Sequence, residues 1–277
     1  MTKKINYLNN KDLLLAIHRS KNTYCTYSQP EYHQYDIIVQ EVDQINQSQY
    51  IELAQRARAK RLAQEQYDAA KPLNPKAKLA DFEIDPTSIP LSDLIFRVNT
   101  FEHIPLAPGR KKSVKTEADG KERVNFPPFQ HWKFNDAGIA ICVGKSHWIG
   151  DLEAGKFSKD HGQITETLAR MFIKLSEKYA TRGNVRGYTY NDEMKGQAIL
   201  QLTQIGLQFD ESKSDNPFAY FTAAVKNSFV RVINIEKRMQ NIRDDMLEMN
   251  GMNPSFTRTM NHEFDIHAKR DADLGDI

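Results

Sequence analysis

Residues 216–250 read NPFAYFTAAVKNSFVRVINIEKRMQNIRDDMLEMN, and this segment sets the architecture expected of the chain. Asn216 is a good helix N-cap, and Pro217 suits the first helical position, where a missing N–H costs nothing. Nothing from Phe218 towards Leu247 breaks a helix, and Asn250–Gly251 with Pro254 beyond ends it. At ~100° per residue, Phe218, Phe221, Val225, Phe229 and Val232 fall within a sector of roughly 80°, the face turned to a core. On the opposite side Tyr220, Asn227, Arg231, Asn234 and Arg238 lie within ~60° of one another, with Lys226 and Lys237 on one flank.

That polar face has a definite chemistry. Arginine and lysine neutralise phosphates, amides read base edges, and an aromatic ring receives an unstacked base for ~1–3 kcal/mol. Capture of flipped bases and exposed backbone can separate strands without chemical fuel if it offsets ~1–2 kcal/mol per base step. A solvated helix face with ordinary surface cations gives the same pattern, so the row alone does not decide between the two.

Working outward, 190–209 reads as a helix with Met194, Ala198, Leu202, Ile205 and Phe209 on one face. In 163–180, Ile164, Leu168, Met171, Phe172 and Leu175 recur at helical spacing. A short helix is expected around 10–20, and 41–70, rich in Ala, Gln, Glu and Arg, reads as helical. Between 71 and 158 the texture changes, with most of the prolines, both tryptophans and strand-like Leu94–Phe101. HWKFNDAGIAICV (131–143) reads as a hairpin turning at Asn135–Gly138.

The bulk numbers bound the class. A chain of 277 residues, 40% hydrophobic and 27% charged, can bury a core and reads as globular. No apolar run approaches the roughly 20 residues of a membrane helix, and the start is too polar for a signal peptide. Cys25 and Cys142 lie far apart without a CxxC motif, which suits idle thiols in a reducing cytoplasm. Cys142, His147 and His131 lack the close ligand pairing of a zinc site. A net charge of +2 announces no nucleic-acid binder, but residues 54–78, 110–124 and 226–243 are basic-rich, and 271–277 are acidic. Arg110, Lys111, Lys112 and Lys115 precede Phe126, Phe129, Trp132 and Phe134. That run fits a single-strand surface, or, the favoured reading, a loop before a small aromatic core. No phosphate loop, HExxH or GxSxG motif is present, so no catalytic residue, metal or cofactor is expected.

YNDEMKGQAILQLTQIGLQFD (190–210) followed by NPFAYFTAAVKNSFVRVINIEKR (216–238) resembles the second conserved region of bacterial sigma factors. The chain as a whole resembles the late-transcription sigma factors of T-even-like bacteriophages, in the longer form carried by phages of cyanobacteria. NYLNNKDLLLAIHRSK (6–21), LARMFIKLSEKYATRGNVRGYTYNDEM (168–194), IRDDMLEMNGMNPSFTR (242–258), HIPLAPGRKK (103–112) and NFPPFQHWKF (125–134) all carry the likeness.

The resemblance implies a mainly α fold, a sigma-region-2-like helical bundle with a small β-containing insert. Its parts would be an N-terminal helical segment (1–29), the insert (30–158), the region-2-like domain (159–258) and a polar tail (259–277). It implies a non-enzymatic initiation factor in the cytoplasm of the infected bacterial host, directing core RNA polymerase to AT-rich late promoters. Glu193, Lys195, Gln197, Gln201 and Gln204 would meet the polymerase. Tyr220 and Phe221 stand at the family's DNA-facing aromatics, though Phe221 also falls on the core face. Asn227 and Arg231 match the promoter-reading stretch beside Lys226 and Asn234, with Lys237, Arg238 and Arg243 on phosphates.

Two departures qualify the likeness. Ala224 and Val225 stand where primary sigma factors carry a tryptophan pair, which suits a factor needing a phage co-activator. The end, DADLGDI, offers only Leu274 and Ile277 as anchors for a sliding clamp. Too few residues follow 258 for a second DNA-reading domain, so one promoter element is expected. The rival readings are a polymerase-binding co-activator without promoter specificity and a DNA-processing enzyme.

Overall fold

The computed structural model describes residues 8–107, 118 and 120–275. Arg110, Lys111, Lys112, Lys115 and Ile277 lie outside them, and nothing is described of the Leu274 side chain. The chain divides into two compact units, Met1–Lys174 with Thr203–Phe221, and Leu175–Leu202 with Thr222–Ile277.

The first unit is built on a sheet of five strands: β1 (Cys25–Tyr27), β2 (Ile37–Val39), β3 (Ile95–Asn99), β4 (Phe129–Phe134) and β5 (Ala140–Ser146). Their order is β1-β5-β4-β3-β2, antiparallel except for the parallel pairing of β2 with β3. A two-stranded ribbon, β6 (Trp148–Ile149) with β7 (Lys156–Phe157), follows. This overturns the mainly α expectation. Although helix predominates, a mixed sheet with helices makes the fold α/β, not a helical bundle. The sheet also exceeds the expected insert, because β1 lies before residue 30 and pairs with β5.

The hairpin forms because Asn135 shapes its turn. The Asn135 side-chain oxygen accepts from the Ala137 and Ile139 N–H groups, and Gly138 takes φ 75°. β3 is buried on both faces, which explains its near-continuous apolar run. Phe96 and Val98 join Val39, Ile45, Leu94 and Phe134 in one core with Ala54 and Ala59 of α2 (Ser48–Ala70). Arg58 and Arg61 of that helix pair with the fully buried Asp36 carboxylate.

The other face of β3 holds a buried cation. The Arg97 guanidinium lies 3.8 Å from the ring centres of both Tyr35 and Phe129. Its Nε donates to His131 Nε2 at 3.0 Å, while His131 Nδ1 meets the Tyr32 carbonyl at 2.7 Å. His131 is therefore a neutral ring with its proton on Nδ1. Burial first, then the Arg97 charge, pushes its pKa well below the usual value. His18 of α1 (Asn10–Asn22) lies 3.3 Å from Arg97 Nη1 and is depressed for the same two reasons.

Also in this unit, Lys21 is buried and donates to the Phe209 carbonyl and to Glu211, both at 2.7 Å. Gly206 packs directly on the Phe172 ring, where an added Cβ would lie 2.5 Å from Cζ. His147, fully buried with φ 54°, has a ring nitrogen without a partner and a pKa pushed down to about 3 by burial.

The second unit is helical. It contains the end of α3 (Glu166–Ala180), most of α4 (Asn191–Ile205), α5 (Pro217–Met249) from Thr222 onward, and α6 (Phe256–Gly275). Leu175, Tyr179, Met194, Ala198, Leu202, Val225, Phe229 and Val232 of this unit are all buried. Tyr179 meets Phe229 edge-on at 5.1 Å. α5 stops as its residues dictate. Gly251 takes φ 70° while its N–H donates to Glu248 and that of Met252 to Leu247, the paired bonds of a Schellman end. Ser255 then caps α6 against α5, its N–H and hydroxyl both donating to Asp244. α6 occupies residues read from sequence only as a polar tail.

A candidate nucleic-acid interface on the long helix

α5 runs unbroken for 33 residues, and its regular repeat fixes which side chains share a side. Asn227, Arg231, Asn234 and Arg238 are all exposed. At ~100° per residue they form a row within a sector of about 60°. The apolar residues expected opposite them, Phe221, Val225, Phe229 and Val232, are buried, while Phe218 is partly exposed. Amides and guanidiniums alternate along the row, so each potential base-reading group stands beside a phosphate-neutralising one.

The flanking cations are less uniform. Lys226 and Lys237 are exposed but lie ~100° round the helix from the middle of the row. Lys237 opens instead onto a polar groove of about 580 Å³, lined also by Asn241, Asp244, Asp245, Arg258 and Asn261. Arg243, also exposed, lies ~150° from the row's middle and does not join it. From Thr222 to Arg243 the helix carries five cations against one acid, Glu236. Among the described residues none of those cations holds an ion pair. The stretch therefore presents a net positive surface, screened over ~8–10 Å at physiological salt.

One aromatic expectation is corrected. Phe221 has no exposed surface: its ring meets Phe172 at 5.0 Å edge-on and Phe209 at 6.4 Å. A ring committed to the core cannot receive a base. Tyr220, which belongs to the sheet-bearing unit, is 37% exposed against Phe209, and partial burial raises its pKa. Val225, one of the two positions compared above with the tryptophan pair of primary sigma factors, is fully buried, and Ala224 is half-buried.

On α4, Glu193, Gln197 and Gln204 are exposed, whereas Lys195 and Gln201 are half-buried. Lys195 is held by Asp192 one turn earlier. The α5–α6 groove was missed by the sequence reading. Its signal was Arg258, a cation placed to bridge two acids: it donates to Asp245 at 2.6 Å and to Glu248 at 3.0 Å.

No family model, curated protein or solved structure matches the chain. No helix among the described residues is long and apolar enough to cross a membrane.

Proposed function

We propose that the chain is a sigma-type initiation factor, directing a bacterial host's core RNA polymerase to AT-rich late promoters during phage infection. The observation that carries this reading is the exposed row Asn227, Arg231, Asn234 and Arg238 on a helix whose opposite side is buried. The resemblance of residues 190–238 to sigma region 2 supplies the partner. In this reading the amides read base edges, the guanidiniums hold backbone phosphates, and Tyr220 offers a half-exposed ring to an unstacked base. Glu193, Gln197 and Gln204 offer polar contacts to the polymerase. Phe221 has no part in DNA contact, and Arg243 stands apart from the reading row.

The test is a pull-down with core RNA polymerase followed by a start-site assay on an AT-rich promoter. Co-purification with site-specific initiation is the expected result. Binding without site-specific initiation would turn the assignment into a co-activator, and metal-dependent cleavage of the template would turn it into an enzyme.

A further inference from the structure

α5 carries a second pattern, independent of the cationic row. Val225, Ser228, Val232, Ile235, Met239, Ile242, Met246 and Met249 follow one another at alternating steps of three and four, the seam of a heptad repeat. The first three are buried, with at most 8% exposed. The last five are open: Ile235 51%, Met239 46%, Ile242 43%, Met246 60% and Met249 86%. One apolar stripe thus passes from the unit's own core into solvent over roughly four helical turns. α6 does not cover it. The cap of α6 is held by Gln240 and Asp244, which lie ~160° round the helix from the seam's middle.

The flanking charges name the occupant. Beside the seam stand Glu236 and Arg243 on one edge and Arg238 and Asp245 on the other. In a parallel pair of identical helices Arg231 would meet the partner's Glu236, but Arg238 would meet the partner's Arg243, a repulsive contact in the middle of the open half. Turned antiparallel, with Met239 opposite the partner's Ile242 and Ile235 opposite the partner's Met246, every flanking contact becomes attractive. Glu236 then faces the partner's Arg243, and Arg238 faces the partner's Asp245, whose carboxylate is shared with Arg258 of its own chain. By two-fold symmetry each occurs twice.

We propose that the open half of this seam is a self-association surface, on which a second copy of the chain docks as an antiparallel helix pair centred near residues 240–241. The inference does not rest on the proposed function, although Arg238 belongs to both surfaces. Docking ties that arginine to a carboxylate and competes with its use on phosphate. Five apolar side chains per copy make an interface at the small end of the range, so the dimer is weak and concentration-dependent.

Sedimentation equilibrium of the full chain tests this, from about 1 to about 200 µM, with thermal melts as folding controls. The expected result is a monomer–dimer equilibrium that Ile235→Glu with Ile242→Glu abolishes without lowering the melting temperature, since both side chains are already open. Glu236→Arg should weaken association about tenfold by opposing two arginines twice, and adding Arg243→Glu should restore it. A wild-type chain monomeric throughout would overturn the proposal and leave the seam to a different protein. A dimer that survives the double glutamate variant would overturn the location. Indifference to Glu236→Arg would overturn the antiparallel register.

Discussion

Mild acid should destabilise the sheet-bearing unit, because its buried histidines are neutral and cannot take up protons in place. His131 and His147 have no exposed surface, and burial holds both pKa values far below the ordinary 6.5, His147 at about 3. In the unfolded chain each titrates near its ordinary value. Between pH ~6.5 and the folded pKa the unfolded state therefore binds more protons, and stability is lost as pH falls. Each such histidine contributes about 1.4 kcal/mol per pH unit over that window. His147 alone removes roughly 2 kcal/mol between pH ~6.5 and ~5, against a usual stability of ~5–15 kcal/mol, and His131 acts in the same direction. His103, depressed to about 4 mainly by burial, and His18 act in the same direction.

Urea unfolding at pH of about 7.5, 6 and 5 measures this, with His147→Asn as the control, since asparagine tolerates the left-handed backbone at that position. The variant's stability should fall with pH less steeply, by about 1.4 kcal/mol per unit. A flat wild-type profile between pH ~7.5 and ~5, or an unchanged slope in His147→Asn, would refute the argument.

Other outcomes follow from single contacts. Asn227→Ala with Arg231→Ala should cut promoter selection by about tenfold or more in the start-site assay and leave polymerase co-purification intact; equal loss of both would count against the row as a reading surface. Glu211→Ala strands the buried Lys21 ammonium and should cost about 3 kcal/mol in denaturant titration, while Lys21→Met with Glu211→Leu recovers most of the loss. Gly251→Ala should lower the melting temperature through about 1 kcal/mol of strain at a positive φ. Gly206→Ala drives a methyl into the Phe172 ring and should destabilise the sheet-bearing unit by about 1–3 kcal/mol, seen in the same titration.

The legible parts were those with local signals. α5 carried its cap, its proline and its closing glycine in sequence, and the structure places its ends within two residues of the expected helix. The Asn135–Gly138 turn was legible for the same reason. What escaped were features that depend on distant pairing. β1 and β2 are three residues each, too short for alternation to show, and β1 finds β5 across more than a hundred residues. Arg97 sits in IFRVN (95–99), where a buried arginine cannot be told from an outward one until two rings close over it. On α5, periodicity separated core from solvent for Phe221 and Asn227 alike. The resemblance groups Arg243 with the phosphate contacts, whereas the same periodicity puts it ~150° from the middle of the row.

The Lys21–Glu211 pair has a consequence for how the protein is made. The two residues are 190 positions apart in the chain, and the lysine has already been synthesised when most of the sheet emerges from the ribosome. Until residue 211 is released, α1 cannot bury the lysine's ammonium against its carboxylate. Fragments that stop short of that glutamate should therefore be cut by protease faster than the full chain.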